Sequence, residues 1–293
     1  MNEIKYFFSA LRPQHWVKNF LIFLPLIFGK KLFIYPANLN VVIAVPIFSM
    51  AAFAAYLVND ILDREKDKFY PQKRLRPVAS GKISVKEAKV LALILAFVSL
   101  GLAIALNINF ALILAAYIVL NVIYSKVLKN ILIIDILCIS IFFILRILAG
   151  SIVAEIIPSP WIILMTLLLS SFLGFSKRYQ ELKFLGGREI PHRQVLVKYS
   201  VSFLNRTMGF IAFLTILTYV LYTLDAITIK QAGNKNLIYS SPFVACGILR
   251  YLYLVHKINN VIDPVYILIS DSAMQINIVL WVGVCIKLLY FNL

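Results

Sequence analysis

Residues 41–67 read VVIAVPIFSMAAFAAYLVNDILDREKD, and this stretch decides the architecture. Its first eighteen residues, Val41–Val58, carry no charge. A helix needs about 20 mostly apolar residues to cross the hydrocarbon of a bilayer. The run then passes straight into Asn59, Asp60, Asp63, Arg64, Glu65, Lys66 and Asp67. An apolar run ending abruptly in ionisable residues reads as a membrane helix emerging into water.

The same ruler applied outward gives nine candidate spans, at about 17–35, 41–60, 87–106, 109–127, 131–150, 160–178, 200–222, 238–256 and 273–291. Lys18, Asn19 and Pro25 interrupt the first of them. The composition agrees. Hydrophobic residues make up 61% and charged residues 14% of the 293, and mean hydropathy is +0.89. A soluble domain is about 45–50% apolar and about 25% charged. The sequence therefore predicts an all-α polytopic membrane protein, a bundle of about nine transmembrane helices, with residues 1–293 as one bundle domain.

The net charge of +16 is unevenly placed. Of the Lys and Arg residues, 23 fall on the side of the N-terminus and the 61–89 loop, and only Lys30, Lys31, Lys230 and Lys235 fall on the other. The basic side faces the cytoplasm. The N-terminus and the loops at about 59–89 and 176–199 are then cytoplasmic, and the C-terminus lies opposite. No soluble basic domain is left over to bind nucleic acid; the basic side suits anionic membrane lipid instead. Cys138, Cys246 and Cys285 lie in apolar runs without zinc or disulfide spacing. No cleavable signal peptide is visible at the N-terminus.

Asp60, Asp63 and Asp67 are spaced i, i+3, i+7 and share one helix face. Asn59 lies one turn before Asp63. Like charges on one stripe persist when a cation sits among them, and oxygen-only donors select Mg²⁺ or Mn²⁺. The alternative is a solvated helix end paired with Arg64, Lys66 and Lys68. Downstream, Tyr70-Pro71-Gln72-Lys73-Arg74-Leu75-Arg76-Pro77 places three cations in a proline-bracketed loop. A metal beside Arg and Lys suits a polyphosphate.

The run from Asn59 to Gly81 resembles the first Asp-rich motif and basic loop of the UbiA-type intramembrane prenyltransferase superfamily. Tyr124-Ser125-Lys126-Val127-Leu128-Lys129 resembles the family's turn after its fourth helix. The resemblance implies a UbiA-like bundle and a Mg²⁺-dependent transferase. Isoprenyl-diphosphate-using members carry a second Asp-rich motif after the sixth helix. Here that place reads Ser176-Lys177-Arg178-Tyr179-Gln180-Glu181. This departure resembles the branch of decaprenyl-phosphate phosphoribosyltransferases, as do Leu11-Arg12-Pro13-Gln14-His15-Trp16-Val17-Lys18-Asn19 and the segment from Lys129-Asn130 through Asp135 to Arg146.

The branch implies transfer of a phosphoribosyl group from 5-phosphoribosyl 1-diphosphate to a polyprenyl phosphate, in a bacterial or archaeal plasma membrane. The metal would lie among Asn59, Asp60, Asp63 and Asp67. Lys18, Asn19, Lys73, Arg74, Arg76, Tyr124, Lys129, Arg146, Lys177, Arg178 and Glu181 would hold substrate. Asp135 and Arg146, eleven residues apart, fall near one helix face and should both point into a polar cavity. Lys177 and Glu181 should pair at i, i+4 and leave Arg178 for phosphate. A prenyltransferase acting on an aromatic or other acceptor is the alternative enzyme. A lipid or solute transporter fits less well, since the charges cluster at one interface and the acidic motif does not recur. A homo-oligomer is compatible with the sequence.

Overall fold

The computed structural model describes residues 6, 10–69, 73–185, 196–258 and 260–291. Tyr70–Gln72 of the basic loop and residues 186–195 of the expected cytoplasmic loop lie outside the described residues. Every regular element in the described part is helical. Among the described residues, eight helices are long and apolar enough to cross a membrane. They are α2 (Ala37–Leu62), α4 (Val85–Leu106), α5 (Ile108–Lys126), α6 (Ile134–Val153), α7 (Pro160–Leu185), α8 (Val201–Leu224), α10 (Ser241–Lys257, preceded by the 3₁₀ turn Asn236–Ser240) and α12 (Ser272–Tyr290).

The ninth expected span, 17–35, takes another form. A 3₁₀ helix, Pro13–Phe23, runs into a short α-helix, Leu24–Phe28; together they make α1. A 3₁₀ helix rises about 2.0 Å per residue against about 1.5 Å for an α-helix, so α1 covers roughly 30 Å with few residues. The polar break at Lys18-Asn19 and the proline at 25 work against a regular α-helix. The drawn-out form instead lays Asn19, Ile22 and Leu26 into the bundle, where all three are buried. Gly150 of α6 makes room: a Cβ there would stand 2.0 Å from the carbonyl oxygen of Ile22.

Small residues set the packing elsewhere. Ala51, Ala52, Ala54 and Ala55 of α2 are buried, as are Ala88, Ala92 and Ala103 of α4, and these two helices share the most extensive interface. Side chains from α1, α2, α4, α5 and α6 form one core around Phe48, Phe110 and Tyr117. Those from α6, α7, α8 and α10 to α12 form a second around Ile136, Phe172 and Tyr251. Val90, Leu93, Ile94 and Phe97 of α4 point outward, as lipid-facing residues should.

Three short helices join the spans: α3 (Arg64–Lys68), α9 (Ala226–Ala232) and α11 (Pro264–Ser270). Asp225, Asp263 and Asp271 cap α9, α11 and α12 through their carboxylates, and Ser84 with Glu87 forms a capping box on α4. Lys31 donates to the carbonyls of Ala154 and Glu155 at 3.0 and 2.8 Å, closing the end of α6, and Lys30 donates to Ala232 at the end of α9. Two of the four lysines on the charge-poor side are thus helix caps. The Tyr290 hydroxyl donates to Ile27 at 2.9 Å and so ties α12 to α1.

Candidate active site

At the end of the bundle that holds α3, a polar cavity of about 580 Å³ lies between α1, α2, α5, α6 and α7. Of the residues expected to hold metal or substrate, all but Asn19, Arg74 and Arg178 line it. Arg74 is exposed beside it, and Asn19 and Arg178 are buried behind its wall.

The acidic side is built where α2 ends. α2 stops at Leu62 and α3 restarts at Arg64, with Asp63 at the junction. Asp60 is 1% exposed and Asp67 4%. Arg76 Nη1 lies 3.2 Å from Asp60 Oδ1 and 2.6 Å from Asp67 Oδ2; Lys129 Nζ lies 2.5 Å from Asp63 Oδ1; Arg12 also pairs with Asp60. The solvated-end alternative describes Glu65 instead, which pairs with Lys68 at 2.7 Å on the surface. Burial pushes the Asp67 carboxyl above its ordinary range and the Asp60 and Asp63 charges push the same way, while Arg76 and Lys73 pull it down.

Among the described residues no three His, Cys, Asp or Glu side chains converge into a ready-made metal cage. The four-ligand set Asn59, Asp60, Asp63 and Asp67 is therefore not pre-assembled: Arg76 sits between Asp60 and Asp67, and Lys129 takes Asp63. The donor chemistry still fits a hard cation. Asp60 Oδ2 is buried without a hydrogen-bond partner, and the carboxylates of Asp63 and Asp67 on the same stripe offer only oxygen. Mg²⁺ commonly takes one or two carboxylates and completes its shell with substrate phosphates and water.

Two expectations on α6 and α7 are corrected. Asp135 does not reach the cavity. It is fully buried, accepting from Arg178 Nε at 2.7 Å and from the Tyr199 hydroxyl at 3.1 Å. Arg178 is not open to phosphate, since its Nη1 also lies 2.5 Å from Glu181. Glu181 thus pairs at i, i+3 with Arg178, and Lys177 reaches across to Asp263 at 3.2 Å. The reason is the unpaired charge of Asp135: a buried carboxylate draws in the guanidinium that can meet it.

Arg146 does line the cavity, at 2% exposure. It donates to Asn19 Oδ1 at 2.8 Å, to the Phe142 carbonyl at 2.7 Å and to the Tyr117 hydroxyl at 3.0 Å, and the rings of Phe48 and Tyr117 flank it. Asn19 in turn donates to Ser49 at 2.8 Å. Sequence reasoning passed over Arg12 and Asp263 as site residues. Arg12 was visible in the opening motif, beside His15, a candidate for substrate contact that does line the cavity. Asp263 stood only as an acid before a proline in a cytoplasmic connection, which signals a helix cap and no more.

A second cavity, of about 230 Å³, adjoins the first and is almost wholly apolar. Leu21, Phe28, Leu169, Tyr222 and Trp281 are among its walls, and Lys18 and Phe143 line both cavities.

The pattern of the UbiA prenyltransferase family matches residues 22–266. The chain belongs to that family. Among its relatives, the decaprenyl-phosphate phosphoribosyltransferase of Mycolicibacterium smegmatis is 31% identical over 99% of this chain and 94% of its own length. The enzyme of the same name from Corynebacterium glutamicum is 32% identical over 96% of this chain and 86% of its own. The UbiA-family fold is matched by the structure of a UbiA homologue from Archaeoglobus fulgidus bound to GPP and Mg²⁺, with a TM-score of 0.72 at 18% identity, covering 97% of this chain and 99% of that one. The chain is thus an integral, multi-pass member of the UbiA family.

Proposed function

We propose that this UbiA-family protein moves a 5-phosphoribosyl group from 5-phosphoribosyl 1-diphosphate onto a polyprenyl phosphate and releases pyrophosphate. The observation that carries the reading is the α7 wall. Where isoprenyl-diphosphate users resemble one another in a second acidic motif, this chain turns Lys177 into the cavity and closes Glu181 and Asp135 onto Arg178. The kinship at 31% identity to proteins named decaprenyl-phosphate phosphoribosyltransferase points the same way.

In the reaction, a phosphate oxygen of the lipid attacks the anomeric carbon and the bond from that carbon to the diphosphate breaks. The acceptor is already anionic near neutral pH, so no strong general base is required. The task of the site is to receive charge gathering on the departing diphosphate. Asn59, Asp60, Asp63 and Asp67 are the residues to hold Mg²⁺ or Mn²⁺, which when bound supplies Lewis-acid neutralisation of diphosphate oxygens. Lys73, Arg76 and Lys129 grip those oxygens from the side. Tyr117, Tyr124 and Phe142 form an aromatic wall that limits water at the reacting carbon. The adjoining apolar cavity takes the first part of the prenyl chain. The cavity opens on the cytoplasmic side, the last helix ends on the opposite side, and residues 1–293 work as one bundle.

The test uses purified protein in detergent with Mg²⁺, phosphoribosyl diphosphate labelled in the ribose, and polyprenyl phosphate. Label should enter the lipid phase. If it stays in water while an isoprenyl diphosphate is consumed with an aromatic acceptor, the prenyltransferase alternative replaces this reading.

A further inference from the structure

The polar cavity has two chemically different ends. At the Asp60 end, buried acids and cations are matched: Arg12, Arg76 and Lys129 each face a carboxylate. At the other end stands Arg146, whose three hydrogen bonds all go to neutral acceptors. A buried guanidinium with no carboxylate costs free energy that a resident anion would offset. Beside it, the Lys18 ammonium lines the cavity and has no hydrogen bond or close ion pair among the described residues. Asp263 near this end acts on Lys18 through its charge, but its carboxylate oxygens are bonded to Lys177 at 3.2 Å and to the backbone N–H of Val265 at 3.0 Å.

Lys18 also lines the apolar cavity, with Phe143. A molecule that occupies both spaces at this junction must carry an anion directly attached to hydrocarbon. Phosphoribosyl diphosphate has no hydrocarbon, whereas a prenyl phosphate has that form. We propose that Lys18 and Arg146 are the seat for the phosphate of the lipid acceptor, apart from the Asp60–Arg76 end that takes the donor's diphosphate. This rests on the transfer reading above and divides its two substrates between the two ends.

The experiment measures binding to the full chain in detergent by calorimetry, using farnesyl phosphate, farnesol and phosphoribosyl diphosphate with Mg²⁺, each alone. Lys18→Met should weaken farnesyl phosphate about tenfold or more, the scale of a lost charge-assisted contact, and leave farnesol and phosphoribosyl diphosphate unchanged. Arg146→Lys keeps the charge but not the fork and should weaken farnesyl phosphate in the same selective way; unfolding temperatures identify a variant that has lost its fold, and Lys18→Met then carries the result. Weakened phosphoribosyl diphosphate with intact farnesyl phosphate overturns the seat while label transfer by the wild type still stands. Wild-type protein that binds farnesyl phosphate in a Lys18-dependent way, but no phosphoribosyl diphosphate, supports the seat and overturns the transfer reading.

Discussion

Asp60 shows how one side chain joins fold to chemistry. One oxygen is held by Arg12 and Arg76, while the other is buried without a partner. Asp60→Asn keeps the size and one acceptor but removes the charge. Under the proposed function it should lower kcat by at least about a hundredfold, the scale of losing one group that stabilises a leaving anion, and it should also lower the unfolding temperature, since Arg12 and Arg76 lose a buried carboxylate. Turnover of labelled phosphoribosyl diphosphate checks the first point and thermal unfolding in detergent the second. The carboxylates of this stripe were readable from spacing alone. Their partners were not: Arg12 lies 48 residues from Asp60 and Lys129 lies 66 from Asp63. Local periodicity carries no information about contacts at such separations.

At the scale of elements, the contact of α1 with α6 and the docking of α11 are both testable. Gly150→Ala would put a methyl group 2.0 Å from the Ile22 carbonyl oxygen, so α1 must shift. The cost should be on the order of 1–3 kcal/mol, the usual range for overpacking. Gly209→Ala on α8 meets nothing within 4 Å and should be neutral or slightly stabilising. Unfolding temperatures of the two variants make the comparison.

Asp263, outside the spanning helices, concerns α11. Burial pushes its carboxyl up, but Lys177, Lys18 and His15 outweigh this and hold it well below the usual carboxylate range. A carboxyl depressed in the fold adds stability above its unfolded value of about 3.9, and that stability is lost as pH falls through the folded value. Asp263→Asn retains helix-capping ability. It should therefore unfold at lower temperature than wild type at pH 7, and the gap should narrow as pH is taken below about 4. The charge-poor look of the connection before α11 hid this role, because an isolated acid acquires its cations only when α1 and α7 arrive beside it.

For the whole molecule, the lopsided distribution of 23 against four basic residues sets the expected orientation. In a background with Cys138, Cys246 and Cys285 replaced by Ala, Arg74→Cys should react with a membrane-impermeant maleimide in inverted vesicles and not in intact cells. Lys235→Cys should show the opposite pattern. Reaction of both from one face would overturn the orientation and with it the cytoplasmic supply of a soluble donor. The same distribution explains why the polar cavity can exist at one end of an otherwise apolar bundle. Apart from Lys18 in α1 and Arg146 in α6, its charged walls come from loops and helix ends that need not be pulled through hydrocarbon.

The spans, the acidic stripe and the family were legible in the linear order of residues. Each is a property of neighbours within a few turns: hydrophobic runs of membrane length, carboxylates at helical spacing, and motif strings. The tertiary arrangement alone decided that the first span is a drawn-out 3₁₀ helix, that Arg178 is consumed by Asp135, that Arg146 stands without an acid, and that Asp263 faces Lys177. Those outcomes depend on which distant charges meet in a space of low dielectric. There a buried charge takes the partner that geometry allows, and helical periodicity does not specify which one that is.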